Sequence, residues 1–304
     1  MKRGSWAALS LGVLAFSAWD ASAQDLEPRA YTNTPTGMNF LLAGYAYSTG
    51  TVGADPAVPL TDTHVNVHAA LVAYARSLNL WGTSGKVDVI LPYAWASGSG
   101  TLAGQNKSRE IEGFGDSRFR LSVNLYGAPA LTLEEFQSYK QDTIIGASVQ
   151  VIAPTGQYDS EKLLNIGSNR WAFKPEFGIS KAWGSLILEL TPAVTFYTRN
   201  EDFLGGNKLE QAPIYSVQGH LVYTIWRGIW ASLDTTYYTG GRTTLNGVEA
   251  DDRLENVRVG ASVALPVDRY NSIKLFASGG AYSRTGTSFT TGGIAWQVRW
   301  GGGL

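Results

Sequence analysis

The chain has 304 residues, a formal net charge of −1, 44% hydrophobic residues, 35 glycines and no cysteine. The lack of cysteine excludes a disulfide framework, a thiolate metal site and a thiol nucleophile, and the near-neutral balance offers no basic footprint for nucleic acid. Past the first 23 residues no run reaches the roughly 18 apolar residues that a spanning helix needs, so any crossing of a bilayer falls to strands.

Residues 1–23 read as a secretory signal. Lys2 and Arg3 are the basic start, residues 6–16 the apolar centre, and Ala21-Ser22-Ala23 the small-x-small cleavage site. The apolar centre is too short for a spanning anchor, so the expectation is a mature chain beginning at Gln24. A cysteine-free chain crosses an oxidising periplasm without mispairing. Residues 24–37 are polar and contain proline, and read as an arm that lies on the periplasmic rim or enters a lumen.

Twelve strand-like segments follow, over residues 38–48, 64–77, 85–97, 115–126, 142–153, 169–181, 185–199, 213–226, 229–239, 255–266, 272–284 and 289–300. The sixth and seventh show the pattern most strongly. Trp171, Phe173, Phe177 and Ile179 alternate with Arg170, Lys174 and Glu176. After a turn placed at Trp183 and Gly184, Leu186, Leu188, Leu190 and Phe196 alternate with Glu189, Thr191 and Thr195. Period two puts one set on each face of a strand. An apolar row backed by a charged one suits a wall between lipid and water. The first segment is ambiguous in phase, because Phe40 and Leu42 compete with Leu41, Ala43 and Tyr45. In the second, Val65, Val67, Ala69 and Leu71 share the face taken as lipid-facing, which puts His64, His68 and Arg76 with His220 on the lumen phase.

The connections alternate in length. Those near residues 84–85, 183–184, 227–228 and 268–271 are short, and those at 49–63, 98–114, 154–168, 200–212 and 240–254 are long and polar. This predicts an all-β fold, an antiparallel up-and-down transmembrane β-barrel of about 12 strands over residues 38–304, with short periplasmic turns and long outer loops. The 127–141 gap breaks the rule, and Thr132 with Glu135 marks a capping box and a short helix there. Prolines 92, 175, 192 and 266 interrupt strand patterns. With the turn at Trp183 and Gly184, Pro175 faces Pro192, and a bulge or widened pairing is expected. The closing segment carries Trp296, Val298 and Trp300 on one phase, as a lipid-facing strand with interfacial rings does.

At PTGQYD (154–159), NIGSNRWAFKPEFGISKAWG (165–184), YYTGGRTTLNG (237–247) and RVGASVALPVDRYNSIKL (258–275) the chain resembles the outer-membrane transporters named after the meta-cleavage pathway of phenol degradation. The likeness extends to LEPRAYTNTPTGMNFL near the start. It implies an outer-membrane β-barrel and a transport role for small molecules, with hydrophobic or aromatic compounds or their organic acids as the solutes. It carries over no site residues.

By parity the lumen phase holds eleven basic residues against five acidic ones. The lumen-lining candidates are Asp116, Arg118, Arg120, Lys174, Glu176, Glu189, Arg258, Lys274 and Arg299. Two readings stand open: a positive wall that favours anions, or an ion-pair network that closes a narrow barrel. The second is the alternative function, a closed structural or adhesion barrel. The acidic outer loops suit either solvent or cation bridges to lipopolysaccharide. His64 and His68 lie about 13 Å apart along a strand and form no tight metal pair. Neither HExxH nor GxSxG occurs. No catalytic, cofactor or metal residue is therefore expected, and no enzyme. The expected partners are membrane lipid and lipopolysaccharide, the barrel-assembly machinery and a small solute. The expected location is the bacterial outer membrane.

Overall fold

The structure is a computed structural model that describes residues 16–17, 27–52, 60–102, 105–162, 164–226, 228–284 and 287–304. Of the expected signal only Phe16–Ser17 is described, paired in parallel with Leu164–Asn165. The rest of that segment and residues 24–26 lie outside the described residues.

Twelve strands make a closed wall. They are β1 (Met38–Val52), β2 (Leu60–Leu80), β3 (Thr83–Leu102), β4 in two pieces (Gln105–Phe114 and Ser117–Tyr126), β5 (Thr143–Ala153), β6 (Ala172–Trp183), β7 (Leu186–Tyr197), β8 (Ile214–Trp226), β9 (Ile229–Gly240), β10 (Leu254–Pro266), β11 (Asn271–Ser283) and β12 (Thr287–Gly301). Each pairs antiparallel with its neighbours, and β12 returns to β1 with Trp300 opposite Asn39 and Ile294 opposite Tyr45. Closure leaves no free edge to hydrogen-bond in the apolar layer. The single helix among the described residues, α1 (Leu133–Phe136), carries the expected capping box of Thr132 and Glu135.

The outer face follows from alternation. Leu188, Leu190, Tyr215, Leu221, Tyr223, Leu275 and Trp296 stand exposed on it, while Lys174, Glu176, Glu189, Gln218 and Asp234 between them are buried. Tyr45 and Tyr47 are exposed, which settles β1: Leu41, Ala43 and Tyr45 point out, and Phe40 and Leu42 point in.

Three expectations are corrected. First, β2 has the opposite phase. Val65, Val67, Ala73 and Ala75 are buried inside, while Val72 and Tyr74 are exposed. His68 bonds Tyr45 Oη at 2.6 Å on the outside. Arg76 is exposed on the outer face with His64 and His68, so only His220 of the three histidines lines the lumen. The physical reason lies in the length of the hairpin. β2 and β3 run for 21 and 20 residues, against 12 each in β6 and β7. At about 3.3 Å per residue the excess carries them some 25 Å past the shorter strands. There the inner face is covered by another segment, so valine points inward.

Second, the first turn is Trp81 and Gly82, with φ +55 and +85, and the β6–β7 turn is Gly184 and Ser185, because Trp183 pairs with Leu186. Third, that shift separates the prolines. The register puts Pro192 level with Phe177 and Pro175 level with Val194, and no bulge occurs. The ladder instead lacks partners between Leu190↔Ile179, Ala193↔Glu176 and Phe196↔Phe173. Each proline lacks a donor, so pairing widens without a change of register.

Two of the outer connections are themselves ordered. Asn200–Phe203, Asn207–Gln211, Thr243–Leu245 and Val248–Glu249 form a small four-stranded sheet beyond the wall.

Candidate functional site

The inward row of the wall is a set of cross-strand neighbours. Lys174 on β6 pairs with Gln150 on β5, Gln150 with Arg120 on β4, and Arg120 with Asp88 on β3. The row two residues away runs Glu176, Ser148, Ser122, Lys86. Two ladders of polar groups thus lie on one side of the lumen. Their ion pairs are Lys174–Glu176 at 2.8 Å, with side chains 3% and 5% exposed, Arg120–Asp88 at 3.1 Å and Lys86–Asp88 at 3.9 Å.

The arm enters this lumen. Its base is tied at the periplasmic end, where Met38 N–H donates to Ser77 Oγ at 2.9 Å and Asn33 Nδ2 to the Pro129 carbonyl at 3.2 Å. Further in, the Tyr31 ring lies over two glycines that face each other across the ladder, Gly146 and Gly178. A Cβ would stand 2.3 Å from the ring at Gly146 and 2.1 Å at Gly178. Only glycine leaves room for it. Tyr31 Oη bonds Ser148 Oγ at 3.1 Å, and Ser148 Oγ donates to Glu176 at 2.9 Å. At Arg29 the chain kinks with φ +68, a conformation that costs a non-glycine residue about 1 kcal/mol. The Arg29 N–H donates to Glu189 Oε2 at 2.6 Å, and its guanidinium sits 5.5 Å from the centre of the Trp230 ring.

Glu27 then bridges the two sides. Its N–H donates to Gln218 Oε1 on β8 at 3.3 Å, while its carboxylate takes an ion pair from Arg120 on β4. Burial pushes that carboxyl up, but the charges of Arg120, Lys174 and Lys86 outweigh it and hold the group below the ordinary carboxylate range.

On the opposite side, Asp234 accepts from His220 Nδ1 at 2.8 Å, Ser232 Oγ at 3.0 Å and Ser262 Oγ at 3.3 Å. Both serines donate to the carboxylate and neither to the imidazole, so these residues are not ordered as a nucleophile–base–acid relay.

At the outer end of the wall, fully buried Ile166 packs on Val65, Val67, Ala94, Ala96 and Ile111 of β2, β3 and β4. Here is the cover that makes the upper inner face of β2 apolar. Asp116 ties the cover down, accepting from Gly156 N–H at 2.9 Å, Ser168 N–H at 2.8 Å and Ser168 Oγ at 2.6 Å. Asp116→Ala should therefore loosen residues 154–168 by about 3 kcal/mol. Limited proteolysis of the folded protein should show a new cut there. An unchanged digestion pattern would mean that Ile166 alone holds the cover.

The expected lumen set thus divides. Arg120, Lys174, Glu176 and Glu189 meet around the arm. Arg118 is buried one step along β4, at the level of Ile90 and Ile152. Arg258 is buried on β10 and bonds Ser278 Oγ at 3.0 Å. Lys274 lies 6.0 Å from the centres of the Trp230 and Phe276 rings. Two members are misplaced by parity alone. Asp116 is a backbone clamp for the outer loop, and Arg299 is exposed at the periplasmic end, its Nε donating to the Arg269 carbonyl at 3.0 Å. Strand parity says which face a residue takes and nothing about its height. Sequence reading missed Glu27, Arg29, Tyr31, Gln218 and the glycine pair. Gly178, a bare position on the inward phase of an otherwise bulky strand, was the signal available for the pair.

A search of curated proteins finds no match. Among solved structures the chain is similar to an outer membrane channel from Pseudomonas putida F1, at 18% identity and a TM-score of 0.75, over 91% of this chain and 100% of that one. It is also similar to the beta domain of the Bordetella autotransporter Brka, at 8% identity and a TM-score of 0.53, over 87% and 100%. Identities this low establish the barrel fold alone. The model of the family described as "Putative MetA-pathway of phenol degradation" matches residues 46–299. That match takes in every wall strand in whole or in part, and the chain belongs to this family.

Proposed function

We propose that this protein is an outer-membrane channel for small molecules, with hydrophobic or aromatic compounds or their organic acids as solutes. The observation that carries it is the interior. Beside the wall's own side chains the lumen holds a separate segment, residues 27–37, kept there by hydrogen bonds and an ion pair and by no covalent link to the wall. A removable filling is what a conduit needs. The similarity to a solved outer membrane channel supports the same reading. Export by the 1–23 signal, insertion by the barrel-assembly machinery, and contact of the outer face with lipid and lipopolysaccharide complete the proposal.

One observation favours a second reading, a closed structural or adhesion barrel: the arm lies in the lumen, and Ile166 packs on the inner wall at its outer end. Planar-bilayer recording separates the two. The intact protein should give small, brief openings, and a form lacking residues 24–36 should give larger and longer ones. If neither form passes ions or any aromatic solute, the channel reading is wrong.

A further inference from the structure

We propose that the lumen holds a carboxylate-binding site made by Arg120, Lys86 and Lys174, that the arm's own Glu27 occupies it, and that a small organic monocarboxylate takes Glu27's place in passage. The inference rests on the channel reading and names the chemistry of its solute.

The charge count on this side of the wall points to it. Lys86, Arg120 and Lys174 bring three positive charges, and their wall partners Asp88 and Glu176 bring two negative ones. Among these five groups the positive charges outnumber the negative by one, and a buried charge is costly without a counter-charge. Glu27 supplies the missing negative charge, and it comes from the arm. Arg120 shows the division within one side chain: Nε holds the wall carboxylate Asp88 at 3.1 Å, and the terminal nitrogen Nη1 holds the arm carboxylate. A guanidinium fork suits a carboxylate of either origin.

Occupation by Glu27 is local and reversible. No covalent bond fixes the arm inside, and its other anchors in the lumen are noncovalent: the Tyr31 ring, the Arg29 N–H and guanidinium, and the Glu27 N–H. A tethered group competes at an effective concentration of roughly millimolar, so a free carboxylate at tens of millimolar displaces it. The arm's single carboxylate also sets the class. A monocarboxylate reproduces Glu27 on Arg120, whereas a neutral alcohol or an amine brings nothing for Arg120 to hold.

The test uses full-length protein and Glu27→Gln, with benzoate as the probe and benzyl alcohol as the neutral control. Binding is read by calorimetry in detergent, and currents in planar bilayers. Benzoate should bind Glu27→Gln about tenfold more tightly than wild type, since the tethered competitor is gone. Benzyl alcohol should bind neither. Lys86→Met in the Glu27→Gln background should weaken benzoate again, with heat-modifiable gel migration confirming that the barrel is folded. Equal benzoate affinity in wild type and Glu27→Gln overturns the site, as does equal binding of benzyl alcohol. Tight benzoate binding without current in any form, including the one lacking the arm, would leave the site standing and overturn the channel reading. Currents without tighter benzoate binding would do the reverse.

Discussion

Gly178→Val should expel the arm from the lumen and raise conductance to the level of the arm-deleted form. The Cβ alone would stand 2.1 Å from Cε2 of the Tyr31 ring, with Cδ2 at 2.3 Å and Cζ at 2.9 Å. The wall strand cannot yield, because β6 is paired on both sides with β5 and β7, so the ring must leave. Loss of a seated aromatic side chain costs about 3–5 kcal/mol, which exceeds what the Arg29 and Glu27 contacts can restore alone. Valine suits a strand, and the barrel should still assemble. Single-channel recording checks this, with heat-modifiable migration as the folding control. A folded Gly178→Val barrel with wild-type conductance would mean that Tyr31 does not hold the arm in place. Gly146→Val should act in the same direction, as its Cβ meets the same ring at 2.3 Å.

Lys174→Met should destabilise the barrel itself by about 3–5 kcal/mol. Lys174 and Glu176 lie two residues apart on one inward face, 2.8 Å between charged atoms and almost wholly enclosed. Removing the lysine leaves Glu176 buried with Ser148 Oγ as a hydrogen-bond donor at 2.9 Å, too little for a full charge. Replacing both, Lys174→Met with Glu176→Leu, should recover most of the loss, because two buried charges and their desolvation go together. The midpoint of urea unfolding in detergent reads both effects. A single variant that unfolds at the wild-type midpoint would show that water reaches this pair and screens it. Lys174→Met should also weaken the hold on Glu27, so its openings should lengthen as well.

The outer face of this protein was open to reading from the chain because its physics is local. Alternation of Leu188, Leu190 and Phe196 with Glu189, Thr191 and Thr195 requires only the two-residue pleat. The long and short connections follow from turn residues beside them, and Thr132 with Glu135 marks its own helix. The failures share a cause too. β2 was turned inside out because Val65 and Val67 are as apolar as any lipid-facing pair, yet what covers them is Ile166, a hundred residues away. Asp116 and Arg299 share the inward phase and still leave the lumen, since height along the barrel is not written in parity.

By itself, the amino-acid sequence determined an antiparallel barrel of about twelve strands, the lipid face of most of them, its two kinds of connection and a surplus of cations on the inward phase. Each is a property of one strand or one turn. Only the tertiary structure decided that Lys174, Gln150, Arg120 and Asp88 stand in one row, that Glu27 reaches them, and that Tyr31 sits on Gly146 and Gly178. The row depends on the register of four strands at once, and a one-residue slip in any of them would turn a side chain out of the lumen. The arm's place depends on a cavity that exists only after the last strand has closed on the first. Information of that kind is carried by the sum of the pairings, and no single segment contains it.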